Sequence, residues 1–266
     1  MNEIINHDFL GLKISIFDKQ QLINYINQVI IANDKKVCFG YSIGYITLLK
    51  KIPGLYEKCN NYDLMVTDGR IFYWVAKFFG APLKFDISIP FLSELILDIA
   101  NENNYSIMLI GSTEETNEKA TEFIRKKYPN AIVYGGDTCS LFSASDQLTT
   151  VKKINAHKPN ILFIGASTPK KEDFATLWKD QLEVNLIVPF GGMIDALAGK
   201  VKRTPLILKK LGLSAFVRTA QEPKRLFVKN VWMFYEVFFK IFPLIFYYKF
   251  LLREKHFNIV ELYKRI

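Results

Sequence analysis

Four apolar runs of this chain end in residues of the kind that build a ligand site: Tyr41-Ser42, Thr67-Asp68-Gly69-Arg70, Gly111-Ser112-Thr113 and Gly165-Ala166-Ser167-Thr168-Pro169-Lys170-Lys171-Glu172. Glycine lets a ligand approach the backbone, and the free N–H groups of a following helix attract phosphate oxygens. None of the four completes a GxGxxG or P-loop pattern. Asp68 follows the run Leu64-Met65-Val66-Thr67, which puts a carboxylate at a strand mouth with the permissive Gly69 behind it. Two readings stand side by side. It is a general base that removes a proton from an attacking hydroxyl, or the N-cap of a helix beginning near Arg70.

Arg70, Lys170 and Lys171 bring positive charge to the same strand ends, and Arg203, Arg218, Lys224 and Arg225 follow later. Guanidinium groups pair bidentately with diphosphate, so such a cluster suits a nucleotide-sugar or a lipid diphosphate. Taken singly, each is a solvated surface charge. His7, His157 and His256 are far apart and no DxD pair occurs, so neither a metal site nor a cofactor is expected. Protein cations would then have to stabilise a departing diphosphate. Cys38, Cys59 and Cys139 are odd in number and widely spaced, which indicates neither a disulfide framework nor a zinc site, and Cys38 reads as core.

These residues need a frame. Short apolar runs alternating with helical patterns predict a parallel sheet covered by helices. Strands are expected over 36–42, 62–67, 106–111, 131–135, 160–165 and 184–190. Helices are expected over 18–33, 45–60, 70–80, 90–104, 114–128, 144–157 and 169–181. Ser112 with Glu115 reads as a capping box, and Thr168-Pro169 as a proline at the first helical position. The fold class is α/β, a Rossmann-like parallel sheet flanked by helices, with ligands beyond the carboxyl ends of the strands.

Charge is split along the chain. Residues 1–198 carry 20 Lys and Arg against 22 Asp and Glu, whereas residues 199–266 carry 15 against 4. The expected organisation is a Rossmann-like domain over 1–200 and a basic, aromatic helical appendage over 201–266. Basic charge mixed with Phe, Tyr, Trp and Leu fits an anionic membrane surface or nucleic acid, and otherwise a buried helix with one solvated basic side. Residues 231–252 are interrupted by Glu236, Lys240, Pro243 and Lys249, and the run Ile241–Tyr248 is far short of the ~20 residues a span requires. A peripheral, in-plane helix is therefore expected. That run also exceeds what base stacking needs, so a nucleic-acid-binding scaffold is the rival reading and no nucleic-acid partner is expected. The N-terminus, MNEIINHDFLGLKISIF, lacks a basic region ahead of an apolar one and does not read as a signal peptide.

The segment FGGMIDALAGKVKRTPLILKKLGLSAFVRTAQEPKRL, residues 190–226, closely resembles the signature of the TagA/WecG/CpsF glycosyltransferases, glycosyltransferase family 26. VTDGR at 66–70, MLIGSTEETNEKA at 108–120 and NILFIGASTPKKE at 160–172 follow in matching order. The resemblance implies a bacterial, metal-independent, inverting enzyme at the inner face of the cell membrane. Such an enzyme moves an N-acetylhexosamine-type sugar, such as N-acetylmannosamine, from a UDP donor to a polyprenyl-diphosphate-linked sugar. The product would feed cell-surface polysaccharide, teichoic acid or capsule synthesis. Asp68 matches the base, and Arg218 and Arg225, with Arg203, match arginines that complete the site when the appendage docks on the membrane. Gly191, Gly192 and Asp195 match positions near the nucleotide. Association into a homo-oligomer is another way to bury the aromatic rings. The chain departs from the family at Tyr41-Ser42, where Asn is common, at Lys171, where Gln is usual, and at Ser88-Ile89-Pro90, where an aspartate is frequent. These departures bear on donor recognition, and an inactive homologue is the alternative they leave.

Overall fold

The computed structural model describes residues 4–135, 143–202, 204–254 and 257–265, the side chains of 206 and 225 excepted. Its centre is a six-stranded, wholly parallel sheet in the order β4-β3-β8-β7-β5-β6. The strands are β3 (Lys36–Tyr41), β4 (Leu64–Thr67), β5 (Ser106–Gly111), β6 (Ile132–Tyr134), β7 (Ile161–Gly165) and β8 (Leu186–Pro189). Each lies within an expected strand. Runs such as Ile161–Ile164 and Leu186–Val188 are buried on both faces, as a parallel sheet under two helical layers requires. The chain leaves β3 toward β4 on one edge and crosses to build β5 and β6 on the other. The cleft where that direction reverses, beyond the ends of β3 and β8, is where such sheets bind ligands.

One element lies outside the expected set. β1 (Ile5–Phe9) and β2 (Leu12–Ile16) form an antiparallel hairpin. Its two turn residues, Leu10 and Gly11, have φ of 57° and 81°, the left-handed pair of a tight hairpin turn, which usually announces itself by Asn-Gly rather than by leucine. The hairpin reaches the edge of the main sheet, where the Met65 N–H donates to Ser15 Oγ at 2.9 Å.

Helices α1 (Lys19–Ile31), α5 (Ile89–Asn103), α6 (Glu114–Lys127) and α7 (Ala144–His157) cover the sheet as their apolar spacing predicts, with α4 (Arg70–Phe78) and α8 (Lys170–Trp178). Three details differ. The expected helix over 45–60 is two helices, α2 (Tyr45–Lys51) and α3 (Leu55–Asn60). Pro53 removes a donor and drives Ile52 into an extended conformation, φ −107° and ψ 112°. Ser112 makes no capping box. It sits at φ 65°, and Thr113 takes the cap position. Pro169 precedes α8 as its cap rather than opening it.

The Ser112 shift has a cause in the sheet. Gly111 has φ 96° and is paired with Gly165, whose carbonyl oxygen would stand 2.7 Å from any Cβ placed on Gly111. Gly111→Ala is expected to destabilise the protein by about 1–3 kcal/mol, measured as a lower midpoint in urea unfolding.

After β8 comes the short α9 (Met193–Leu197), and the basic C-terminal quarter contains α10 (Leu206–Lys210), α11 (Ser214–Gln221) and α12 (Pro223–Glu236). The last continues through a π-helical turn at Val237–Ile241, α13 (Phe242–Phe246) and a second π-helical turn at Tyr247–Leu251. The stretch Leu226–Leu251 is long and apolar enough to cross a membrane. One stripe of it, Val237, Ile241 and Ile245, is however buried against the body. Those residues share a core with Phe39, Tyr41 and Leu49, and with Ile259, Val260 and Tyr263 of α14 (Ile259–Lys264).

Candidate active site

Asp68 follows the last residue of β4, and its main-chain N–H donates to the Tyr41 carbonyl at 2.6 Å, tying it to the end of β3. Of the two readings of its side chain, capping of α4 is not observed. Gly69 holds the cap position with φ 92° and ψ 147° and no side-chain bond, a conformation close to one that only glycine adopts without strain. Asp68 Oδ1 instead accepts the Ile89 N–H at 2.8 Å, the first free amide of α5. The positive end of a fifteen-residue helix thus faces the carboxylate.

Burial, and then the charge of Asp86, hold the Asp68 carboxyl above its ordinary range, while the Ile89 amide, Lys209 and Lys171 pull the other way. A carboxylate raised toward neutrality is a better proton acceptor at working pH than one left at its ordinary value. Asp86 itself is engaged by Arg70, Nη2 to Oδ2 at 2.9 Å.

Asp68 opens onto a cleft of about 540 Å³. Its floor is made by the ends of β3 and β8, with Gly40, Ser42 and Pro189–Gly192, and one wall by Ile89 and Pro90 of α5. The basic quarter adds Lys209, Ser214 and Arg218 to the lining. Arg218 is held by Glu222 Oε1 at 2.7 Å and lies 3.7 Å from Asp195 Oδ2. The same Nη2 lies beside Gly192, where a Cβ would meet it at 3.6 Å. The cleft therefore holds both a carboxylate that can accept a proton and a braced cation, groups that can serve displacement of a diphosphate by a hydroxyl.

The third contribution comes from the start of α8. Glu172 is fully buried, and its Oε1 accepts from Tyr45 Oη at 2.5 Å and Thr168 Oγ1 at 2.8 Å and pairs with Lys171 Nζ at 2.8 Å. Lys171 also donates to Thr168 Oγ1 and lies 5.3 Å over the Phe39 ring. Burial first, then the charges of Cys59 and Glu172, raise the Tyr45 pKa, so the phenol stays protonated and donates. The carboxylate thus sits behind the cleft and presents Thr168 and Lys171 at its surface.

Residues 7–245 match the Glycosyl transferase WecG/TagA/CpsF family. The chain belongs to this family. Among curated relatives, it is similar to the N-acetylglucosaminyldiphosphoundecaprenol N-acetyl-beta-D-mannosaminyltransferases of Staphylococcus aureus strains MRSA252, MW2 and NCTC 8325 / PS 47. Each is 29% identical over 170 residues. The match covers 64% of this chain and 66%, just under two thirds, of each relative.

Within this family member, the cleft brings together Ser42, Asp68, Thr168, Lys171, Gly191, Gly192 and Arg218 from the residues singled out in the sequence. Thr67 is buried directly beneath, and Gly69 has open space beside it. Asp195 reaches the site through Arg218, and Arg70 through Asp86. Gly111, Ser112 and Gly165 do not line the cleft. Gly111 and Gly165 serve the close approach of β5 and β7, and Gly165 also packs under Ile194. Arg203 and the side chain of Arg225 lie outside the described residues.

Four contributors were missed in the sequence: Asp86, the Ile89 amide, Tyr45 and Lys209. Asp86 and Ile89 flank Ser88, the N-cap of α5, so a cap signal marked the place but not its direction. Asp86→Asn removes a like charge from Asp68 and frees Arg70, and both changes favour the ionised carboxylate. Because activity that needs ionised Asp68 is lost as pH falls through its raised pKa, the acidic limb of the kcat/KM profile is expected to move to lower pH in this variant.

Proposed function

We propose that this protein is an inverting, metal-independent glycosyltransferase. It transfers an N-acetylhexosamine-type sugar, N-acetylmannosamine or a close analogue, from a UDP-sugar to a sugar carried on polyprenyl diphosphate. The observation that supports this reading is that Asp68 and Arg218 line one cleft at the switch point of the sheet. The activity for which the staphylococcal relatives are named supports the choice of donor and acceptor. In the reaction, Asp68 takes the proton of an acceptor hydroxyl as its oxygen bonds to the anomeric carbon. The bond from that carbon to the UDP oxygen breaks, and UDP departs with the electron pair. Arg218, with Arg225 and Arg203 as further cations of the same quarter, offsets the charge growing on the leaving diphosphate. Attack from the face opposite UDP inverts the anomeric centre.

The acceptor's lipid places the reaction at a membrane, on the cytoplasmic face where nucleotide-sugars are made. The long C-terminal helix supports this part of the reading, because Trp232, Tyr235 and Phe239 are exposed along its outer face beside Lys229. An anionic leaflet contributes about 1 kcal/mol per basic residue near its surface. Replacing Lys229 and Lys240 together by Gln is expected to weaken binding to phosphatidylglycerol vesicles ~30-fold, read by co-sedimentation; unchanged binding would overturn the docking face. Truncation of the helix is a poorer test, because Ile259, Val260 and Tyr263 beyond it belong to the core.

The activity is tested by UDP release from a panel of UDP-sugars led by UDP-N-acetylmannosamine, with polyprenyl-diphosphate N-acetylglucosamine as acceptor and EDTA present. Release with an inverted product supports the reading. UDP binding without release from any donor would favour a homologue that has lost catalysis.

A further inference from the structure

Beside the polar cleft the molecule carries a second cavity of about 750 Å³ whose lining is apolar and aromatic throughout. It lies between α4 and the long C-terminal helix, with Trp74, Val75 and Phe78 on one side and Phe242, Phe246 and Leu251 on the other. The long helix thus has three stripes. Val237, Ile241 and Ile245 are buried in the core, Trp232, Tyr235 and Phe239 face outward, and Phe238, Phe242 and Phe246, each four residues from the next, form the groove wall. Phe78 is 69% exposed and Leu251 65% exposed, so the wall holds large apolar surface in water, a cost that monomeric proteins rarely bear without a ligand.

The cleft and the groove have no lining residue in common, but the elements that border the groove run back toward the cleft. α4 starts two residues after Asp68 and brings Trp74 to the groove ~6 Å further along its axis. The long helix packs at Met233, whose sulfur lies against Gly44, in a neighbouring pocket that shares Ser42 and Tyr45 with the cleft, and reaches Phe238 ~8 Å later. Gly212, in the turn between the cleft-lining helices α10 and α11, packs on Ile71 and Trp74. A lipid-linked ligand entering the cleft beside α4 and α10 would therefore meet the groove with its hydrocarbon.

We propose that this groove binds the first isoprene units of the acceptor's polyprenyl chain, holding the lipid by its hydrocarbon while the cleft holds its diphosphate and sugar. The assignment rests on the acceptor class proposed above. A branched hydrocarbon fits both the volume and a lining that, among the described residues, is apolar and aromatic with Tyr247 as its one hydroxyl-bearing member. It also explains why the aromatic wall belongs to the groove as well as to the outward face, since a flat membrane contact requires only the latter.

The test uses the full chain in detergent, so that bilayer adhesion makes no contribution, with two acceptors that share a diphosphate-sugar head and differ in carrying a long polyprenyl or a short alkyl chain. In the double variant Phe78→Ser, Phe246→Ser the ratio of the long-chain KM to the short-chain KM is expected to rise about tenfold. An unchanged ratio overturns the groove. A second measurement needs no turnover. Unmodified protein is photolabelled with a diazirine-bearing geranylgeranyl diphosphate and the label mapped by mass spectrometry. Label on Trp74, Phe78 or Phe246 that undecaprenyl diphosphate competes away supports the assignment. Label on Trp232 or Phe239, or groove label displaced only by phosphatidylglycerol, overturns it. If the groove is labelled and protected but no donor releases UDP, the chain-binding site stands and the proposed reaction fails.

Discussion

Asp68→Asn is expected to lower turnover by ~10²–10⁴ while leaving UDP affinity unchanged. The substitution is informative because of what it preserves. The carboxamide oxygen can still accept the Ile89 amide that Oδ1 accepts at 2.8 Å, so α5 and the cleft wall keep their positions. Gly69 and the tie from the Asp68 N–H to Tyr41 are untouched. What disappears is the capacity to take a proton, and with it the raised carboxyl pKa that burial and Asp86 create. Stopped-assay turnover and calorimetric UDP binding on the same preparation separate the two effects. Turnover close to that of the unmodified protein would remove Asp68 from the role of base.

Arg218→Ala is expected to cost ~10²–10³ in kcat, with a smaller rise in the KM for the donor. The ground-state diphosphate already carries charge, but the charge that develops on the bridging oxygen as the sugar leaves is greater. A cation preorganised by Glu222 at 2.7 Å meets that charge without having to rearrange. Arg218→Lys keeps the charge and loses the planar fork, so an intermediate loss is expected. Equal losses in kcat/KM with kcat unchanged would make Arg218 a binding residue only.

Legibility differed among the elements for identifiable reasons. β5 and α7 coincide with the ranges expected from pattern, because a doubly buried strand and a capped amphipathic helix each write their environment into local spacing. The hairpin Ile5–Ile16 escaped because its turn uses Leu10-Gly11. The break at Ile52–Gly54 was written in Pro53 and was passed over in favour of the apolar pattern on either side. Among the glycines, those near a ligand and those near another strand look alike in sequence. Gly191 and Gly192 border the cleft, while Gly111 and Gly165 accommodate each other.

The sequence by itself determined the α/β class, the strand-end position of Asp68, the basic and aromatic character of the last quarter and, through its motifs, the family. These are properties of residue type and of spacing within about a dozen positions, where backbone geometry translates pattern into structure. Only the tertiary structure decided that α5 points its first amide at Asp68, that Asp86 pairs with Arg70, that Arg218 lines the same cleft as Asp68, and that α4 and the C-terminal helix border an apolar groove. These join residues from 16 to well over a hundred positions apart. Their meeting depends on strand order and on which helix face is buried, and neither is encoded in any one segment.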